Sequence, residues 1–181
     1  MGRCLRNHSV VYKTPKVPFE RERFDGELKL AGKFGLKNKK EIRKVHYMLQ
    51  HMRKVARVLL MKDAKDPKRV LEGGALLRRL HTLGVLPKEQ TKLDFVLALK
   101  EDDVMNRRLE TIVFNKGLAK SVHHARVLIR GKQIAVGKQI VDAPSFLVRV
   151  DSEPLVKIAE NTPTANPEIK GRRKRKNAKS A

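Results

Sequence analysis

Cysteine, tryptophan, acidic residues and long apolar runs are all scarce in this chain of 181 residues. The single cysteine, Cys4, excludes an internal disulfide and any multi-cysteine zinc site. Tryptophan is absent and aromatics make up 4% of the residues. The core must therefore be mainly aliphatic, and stacking on single-stranded bases is not expected as the main binding mode. The longest apolar runs, such as Phe95 to Leu99, are about five residues, too short to span a bilayer. Acids number 19 against 42 lysines and arginines, giving a net charge of +23 and a pI near 10.6. Such a chain repels itself when compact, and a dense polyanion relieves that repulsion. Nucleic acid fits best, because its closely spaced phosphates release counterions when neutralised. A membrane surface fits less well, since no long basic helix with large apolar anchors is present.

Catalytic signatures are missing too. There is no P-loop, no G-x-G-x-x-G and no nucleophile with a neighbouring base. Asp102-Asp103 reads as a helix cap rather than an acid pair. His123 and His124 are adjacent, so on a helix they point about 100° apart and do not form a metal pair. The expectation is a protein that is not an enzyme and holds no cofactor or metal.

The residues that are present form an ordered pattern. The first 19 are basic and lack acids, as in a transit peptide. Pro15 and Pro18 would interrupt an amphipathic helix there, so residues 1–26 read as irregular and their first part as an extended RNA-contacting arm. Met1-Gly2 opens a myristoylation pattern that Arg6 breaks. A short helix is expected around Gly26–Phe34, ended by Gly35. Residues 41–62 give the clearest helix, with Ile42, Val45, Leu49, Met52, Ala56 and Leu59 in one stripe. Asp66-Pro67 supplies an N-cap and a first-turn proline. Gly73-Gly74 is expected to break or bend that helix, which resumes over Ala75–Leu83 and ends at Gly84. Leu93–Leu99 reads as a helix, and the next one is expected to run from Asp102 or Asp103 through Leu109, Ile112 and Val113 to Gly117.

Residues 107–141 hold eight lysines and arginines against one acid, Glu110. Ser121 caps a helix whose apolar face is Val122, Ala125, Leu128 and Ile129. His123, Arg126 and Arg130 fall on a separate face. Ile134 to Val136 and Ile140 to Val141 read as strands joined by Gly137-Lys138, where glycine first suits a type II′ turn. Leu147, Arg149 and Val156–Ala159 suggest further strands. From Asn161 onward, prolines and the run Gly171 to Lys176 read as a disordered or RNA-wrapped tail.

These features carry a resemblance. Arg108-Leu109-Glu110, Gly117-Leu118-Ala119, Ser121 through Ala125-Arg126, and Pro144-Ser145 resemble the small RNA-binding domain named after small-subunit ribosomal protein four. Upstream, Glu27-Leu28-Lys29-Leu30, Phe34 to Lys39, Glu72 to Leu80, and Gly84-Val85-Leu86 are similar to the eukaryotic and archaeal form of that family. The resemblance covers roughly residues 10–160. It implies an α+β, mainly helical fold: a helical domain over 1–106, the small domain of two helices and a short-stranded sheet over 107–160, and a basic tail over 161–181. It also implies a structural component of the small ribosomal subunit. Such a protein grips a ribosomal RNA helix junction early in assembly and lies where mRNA enters. Neighbouring small-subunit proteins, and mRNA itself, are implied partners; a membrane or small-molecule substrate is not. The implied location is the cytoplasmic ribosome, with nucleolar assembly in a eukaryote. A ribosome assembly factor, or an RNA-modifying enzyme subunit carrying the same module, is the alternative.

The residues themselves mark the candidate contacts. Arginine grips phosphate with a bidentate fork that lysine lacks. In the small domain the candidates are Arg107, Arg108, Lys116, Lys120, Ser121, His123, Arg126, Arg130, Lys132 and Lys138. A second basic stretch, Lys33 to Arg57, has nine lysines and arginines against Glu41; its candidates are Lys37, Lys39, Lys40, Arg43, Lys44 and Arg53. Arg172 and Arg173 represent the tail. Neither Arg126 nor Arg130 lies on the apolar face, so replacing both with glutamate is expected to remove RNA binding and leave the fold.

Overall fold

The computed structural model describes residues 11–160 and 162. Among these, seven α-helices are followed by a small sheet: α1 (Arg21–Lys33), α2 (Lys39–Leu60), α3 (Pro67–Leu83), α4 (Asp94–Ala98), α5 (Glu101–Met105), α6 (Leu109–Asn115), α7 (Val122–Arg130), β1 (Ile134–Val136), β2 (Gln139–Ile140) and β3 (Val156–Ile158). The mainly helical α+β class read from the sequence is the class observed. The chain divides into two compact units, one of Met1–His81 with Leu86–Met105, the other of Thr82–Val85 with Asn106–Ala181.

In the first unit α2 is the spine, and α1, α4 and α5 lie against it. Its stripe of Ile42, Val45, Leu49, Met52, Ala56 and Leu59 is buried, as the spacing requires. Residues 11–20 have no regular secondary structure, but α1 starts at Arg21, five residues before the Gly26 start expected. No Ser, Thr, Asp or Asn marks that start. Arg23 does the work instead, donating to Glu20 Oε2 at 2.8 Å and to the carbonyls of Val17 and Pro18 at 2.6 and 3.0 Å. At the other end Gly35 takes φ 61°, and the Leu36 N–H reaches the Ala31 carbonyl at 3.0 Å. This is the left-handed stop that glycine adopts at little steric cost.

Gly73-Gly74 does not break α3, which runs as one helix from Pro67 to Leu83. Gly73 is buried, and a Cβ there would sit 3.3 Å from Leu93 Cδ1. The glycine permits close approach of a side chain rather than ending the helix. The Asp66 cap is formed, with the Lys68 N–H donating to Oδ1 at 2.8 Å. That bond, and then the Lys62 ammonium, hold the Asp66 carboxyl below its ordinary 3.8. A carboxyl depressed on folding contributes stability that is present above its unfolded pKa and lost as pH falls through the lower folded value. Asp66→Ala is therefore expected to melt below the parent at neutral pH, with the gap closing in acid below about pH 3.8. Thermal melts of both proteins across pH check this, and a pH-independent gap would contradict it.

The helix expected to run from Asp102 through Val113 is two helices. Backbone at residues 107–109 turns aside to pair with 146–148: Arg108 bridges Leu147, Leu109 N–H donates to Phe146 O at 2.7 Å, and Val148 N–H to Arg107 O at 3.0 Å. Asp102 and Asp103 lie inside the first turn of α5, where the Asp103 carboxylate accepts from the Lys100 N–H at 2.8 Å. Carboxylates there also favour the positive end of the helix dipole.

In the second unit α6 and α7 pack together beside an antiparallel sheet of order β2-β1-β3. Val136 pairs with Gln139 across Gly137-Lys138. Gly137 has φ 62° and Lys138 does not share its sign, as a type II′ turn requires. Of the further strands expected, Val156–Ile158 forms β3, Leu147 makes only the isolated bridge to Arg108, and Arg149 precedes a 3₁₀ turn over Val150–Ser152. The core is aliphatic, built from Leu109, Ile112, Val113, Leu128, Ile129, Ile134, Val148 and Val156.

Candidate nucleic-acid interface

The loop that joins α6 to α7 is locked at both ends. Gly117 takes φ 71°; its N–H reaches Phe114 O at 2.9 Å, and the Leu118 N–H reaches Val113 O at 3.2 Å. Leu118 and Ala119 then turn into the core. Ser121 Oγ accepts from the His124 N–H at 3.2 Å, and His124 Nδ1 accepts from the Lys120 N–H at 3.2 Å. Both ends of this small turn therefore satisfy helix-start donors that would otherwise be orphaned. With Ala125, Leu128 and Ile129 buried, α7 leaves His123 and Arg130 on its outer side.

The cations chosen from the sequence separate into two groups. Lys120, His123, Arg130, Lys132 and Lys138 are exposed. The rest are held by groups of the protein, Lys116 while remaining exposed. Arg107 donates to Leu83 O at 3.0 Å, Glu153 Oε2 at 2.8 Å and Val148 O at 3.0 Å. Lys116 donates to the carbonyls of Glu153 and Val156. Arg108 is buried, its Nη2 3.8 Å from Glu110 Oε2. Arg126 is one-fifth exposed and its Nη1 lies 3.1 Å from the same carboxylate oxygen, on a fully buried Glu110. Arg126 lies off the apolar stripe as the periodicity says, yet it neutralises a charge inside the fold. The expectation that its reversal would spare the fold does not survive that contact.

In the first unit Lys37, Lys40 and Lys44 are exposed. Lys40 Nζ stands 4.7 Å above the Tyr12 ring. Lys39 Nζ is 3.7 Å above Phe24 and 3.4 Å from the buried Glu27. Arg43 is half-buried, and Arg53 donates to the Leu99 carbonyl at the end of α4. Arg172 and Arg173 lie outside the described residues.

Sequence reasoning named Glu27 and Glu110 within motifs but did not identify them as the two buried carboxylates that hold these cations. Glu27 had a signal: Arg23 is four residues before it and pairs with it at 3.6 Å. Glu110 had none, because Arg126 is sixteen residues away and only the α6–α7 packing brings them together. No group of three or more His, Cys, Asp or Glu among the described residues could hold a metal ion. No helix there is long and apolar enough to cross a membrane.

A cationic loop, helix end and hairpin carried on an aliphatic core suit a rigid polyanion more than a small substrate. Residues 107–153 match the family described as the S4 domain, and residues 6–113 match the ribosomal protein S4/S9 N-terminal domain. The chain is 75% identical over 177 residues to the small ribosomal subunit protein uS4 of Entamoeba histolytica, covering 98% of this chain and 96% of that protein. It therefore belongs to the ribosomal protein S4 family.

Proposed function

We propose that this chain is a structural, non-enzymatic component of the small ribosomal subunit that binds its ribosomal RNA. The near-full-length identity to a protein of that name carries the reading. The physical support is the set of outward cations on a packed frame: Lys37, Lys40, Lys44, Lys120, Arg130, Lys132 and Lys138. In the finer reading, a helical domain over 1–106 and a small domain over 107–160 each offer one cationic surface to a folded RNA helix junction during assembly. Phosphate contacts of this kind set register and orientation rather than reading base sequence. The same reading places the protein near the point where mRNA enters, beside other small-subunit proteins, with assembly in the nucleolus if the cell is eukaryotic.

Binding should then be steeply salt-dependent. Seven neutralised phosphates give a slope of log affinity on log salt of about −6 on a duplex-like site. The measurement is a titration of the full chain on small-subunit RNA at several ionic strengths, with duplex DNA as competitor. A slope shallower than about −2, or equal affinity for DNA, would sink specific ribosomal RNA recognition. Stoichiometric co-sedimentation with finished subunits separates a resident component from an assembly factor that leaves.

A further inference from the structure

In a chain poor in aromatics, Phe19 is 86% exposed. Phe34 is buried, Lys39 stands over Phe24 and Lys40 over Tyr12, while Phe95, Phe114 and Phe146 are about half as exposed as Phe19. Nor is Phe19 a loose end. Arg23 clips the backbone just before it through the Val17 and Pro18 carbonyls. Phe24 meets its ring edge-on, with centroids 6.3 Å apart. Val17, also clipped, is 61% exposed. Val17-Pro18-Phe19 is thus a short apolar hook fastened to the first turn of α1 with its side chains outward. Folding leaves this phenylalanine in water, so covering it by a partner is favourable.

Charge identifies the occupant. From Val17 through Glu27 there are four acids and two arginines, in a chain of net charge +23. Glu22 and Asp25 are exposed, whereas Arg23 is turned inward on Glu20 and the backbone. Arg21 is the one exposed cation in that span. A phosphate backbone would be repelled here; a polypeptide with a basic rim around an apolar socket would be attracted. We propose that the Val17–Phe19 hook, with Glu22 and Asp25, docks a basic neighbouring protein of the same particle rather than RNA. This rests on the ribosomal reading above and revises the expectation of an RNA-contacting arm for residues 17–19.

The test replaces Phe19 with the photocrosslinker benzoylphenylalanine in the full chain, assembles it into small subunits, irradiates, and sequences the crosslinked species. The expected product is a crosslink to a lysine- and arginine-rich polypeptide. Adding Glu22→Lys and Asp25→Lys should cut its yield at least fivefold, with co-sedimentation unchanged. A crosslink to RNA, a crosslink within this chain, no crosslink, or a yield indifferent to the two lysines overturns the proposal. If the parent chain itself fails to co-sediment, the ribosomal reading falls and the docking proposal falls with it.

Discussion

Arg126→Glu unfolds the second unit. The substituted carboxylate would lie against Glu110, which is fully buried and 3.1 Å from the present guanidinium. Removing one partner of a buried pair costs about 3–5 kcal/mol, because the other charge is left without its counterion. Reversal adds repulsion to that loss. Arg108, 3.8 Å from the same oxygen, still supplies one positive charge, so the low end of the range is expected. Urea unfolding of the full chain followed by circular dichroism gives the number. The triple variant Arg108→Met with Arg126→Met and Glu110→Leu should recover most of it, since apolar groups of similar size need no counterion and neither arginine then loses its buried carboxylate. A parent-like midpoint for Arg126→Glu would mean that the contact contributes nothing to stability.

That contact shows where sequence reasoning reaches its limit. Periodicity placed Arg126 off the apolar face of α7 correctly, because 3.6 residues per turn is a local property. The partner was not local: Glu110 belongs to α6, and nothing in spacing connects the two. The same division runs through the fold. The stripe on α2, the caps at Asp66 and Ser121, and the glycine stops at Gly35, Gly84 and Gly117 depend on near neighbours, and all are present. The unbroken course of α3 past Gly73 and the break between α5 and α6 involve distant groups, the Leu93 side chain and the strand-like pairing of 107–109 with 146–148. The start of α1 is local, but the Arg23 clip that holds it follows none of the usual capping patterns. For the candidate interface, residue type and charge sign could be read from the chain. Which cations are tied to the protein could not, because Arg107, Lys116 and Arg53 are held by carbonyls far along the sequence.

Arg130→Glu with Lys132→Glu should do the reverse of Arg126→Glu, sparing the fold and removing binding. Both side chains are exposed at the end of α7. Each lost phosphate contact makes the salt slope shallower by about 1, so the pair should shift it by about 2. Affinity for small-subunit RNA should fall by about 100-fold, roughly tenfold per contact. Lys132 also allows stability and binding to be separated. It takes φ 57°, and its N–H and that of Gln133 close α7 on the carbonyls of Ile129 and Leu128 at 3.0 Å each. Glycine is the usual residue at such a stop, since a Cβ there costs about 1 kcal/mol. A lysine held at that cost implies that its charge has another use. Lys132→Gly should therefore raise the urea midpoint while weakening RNA binding and flattening the salt slope by about 1. If Lys132→Gly binds RNA as tightly as the parent, the αL lysine is a tolerated accident of the turn, and Arg130 must account for the loss in the double variant.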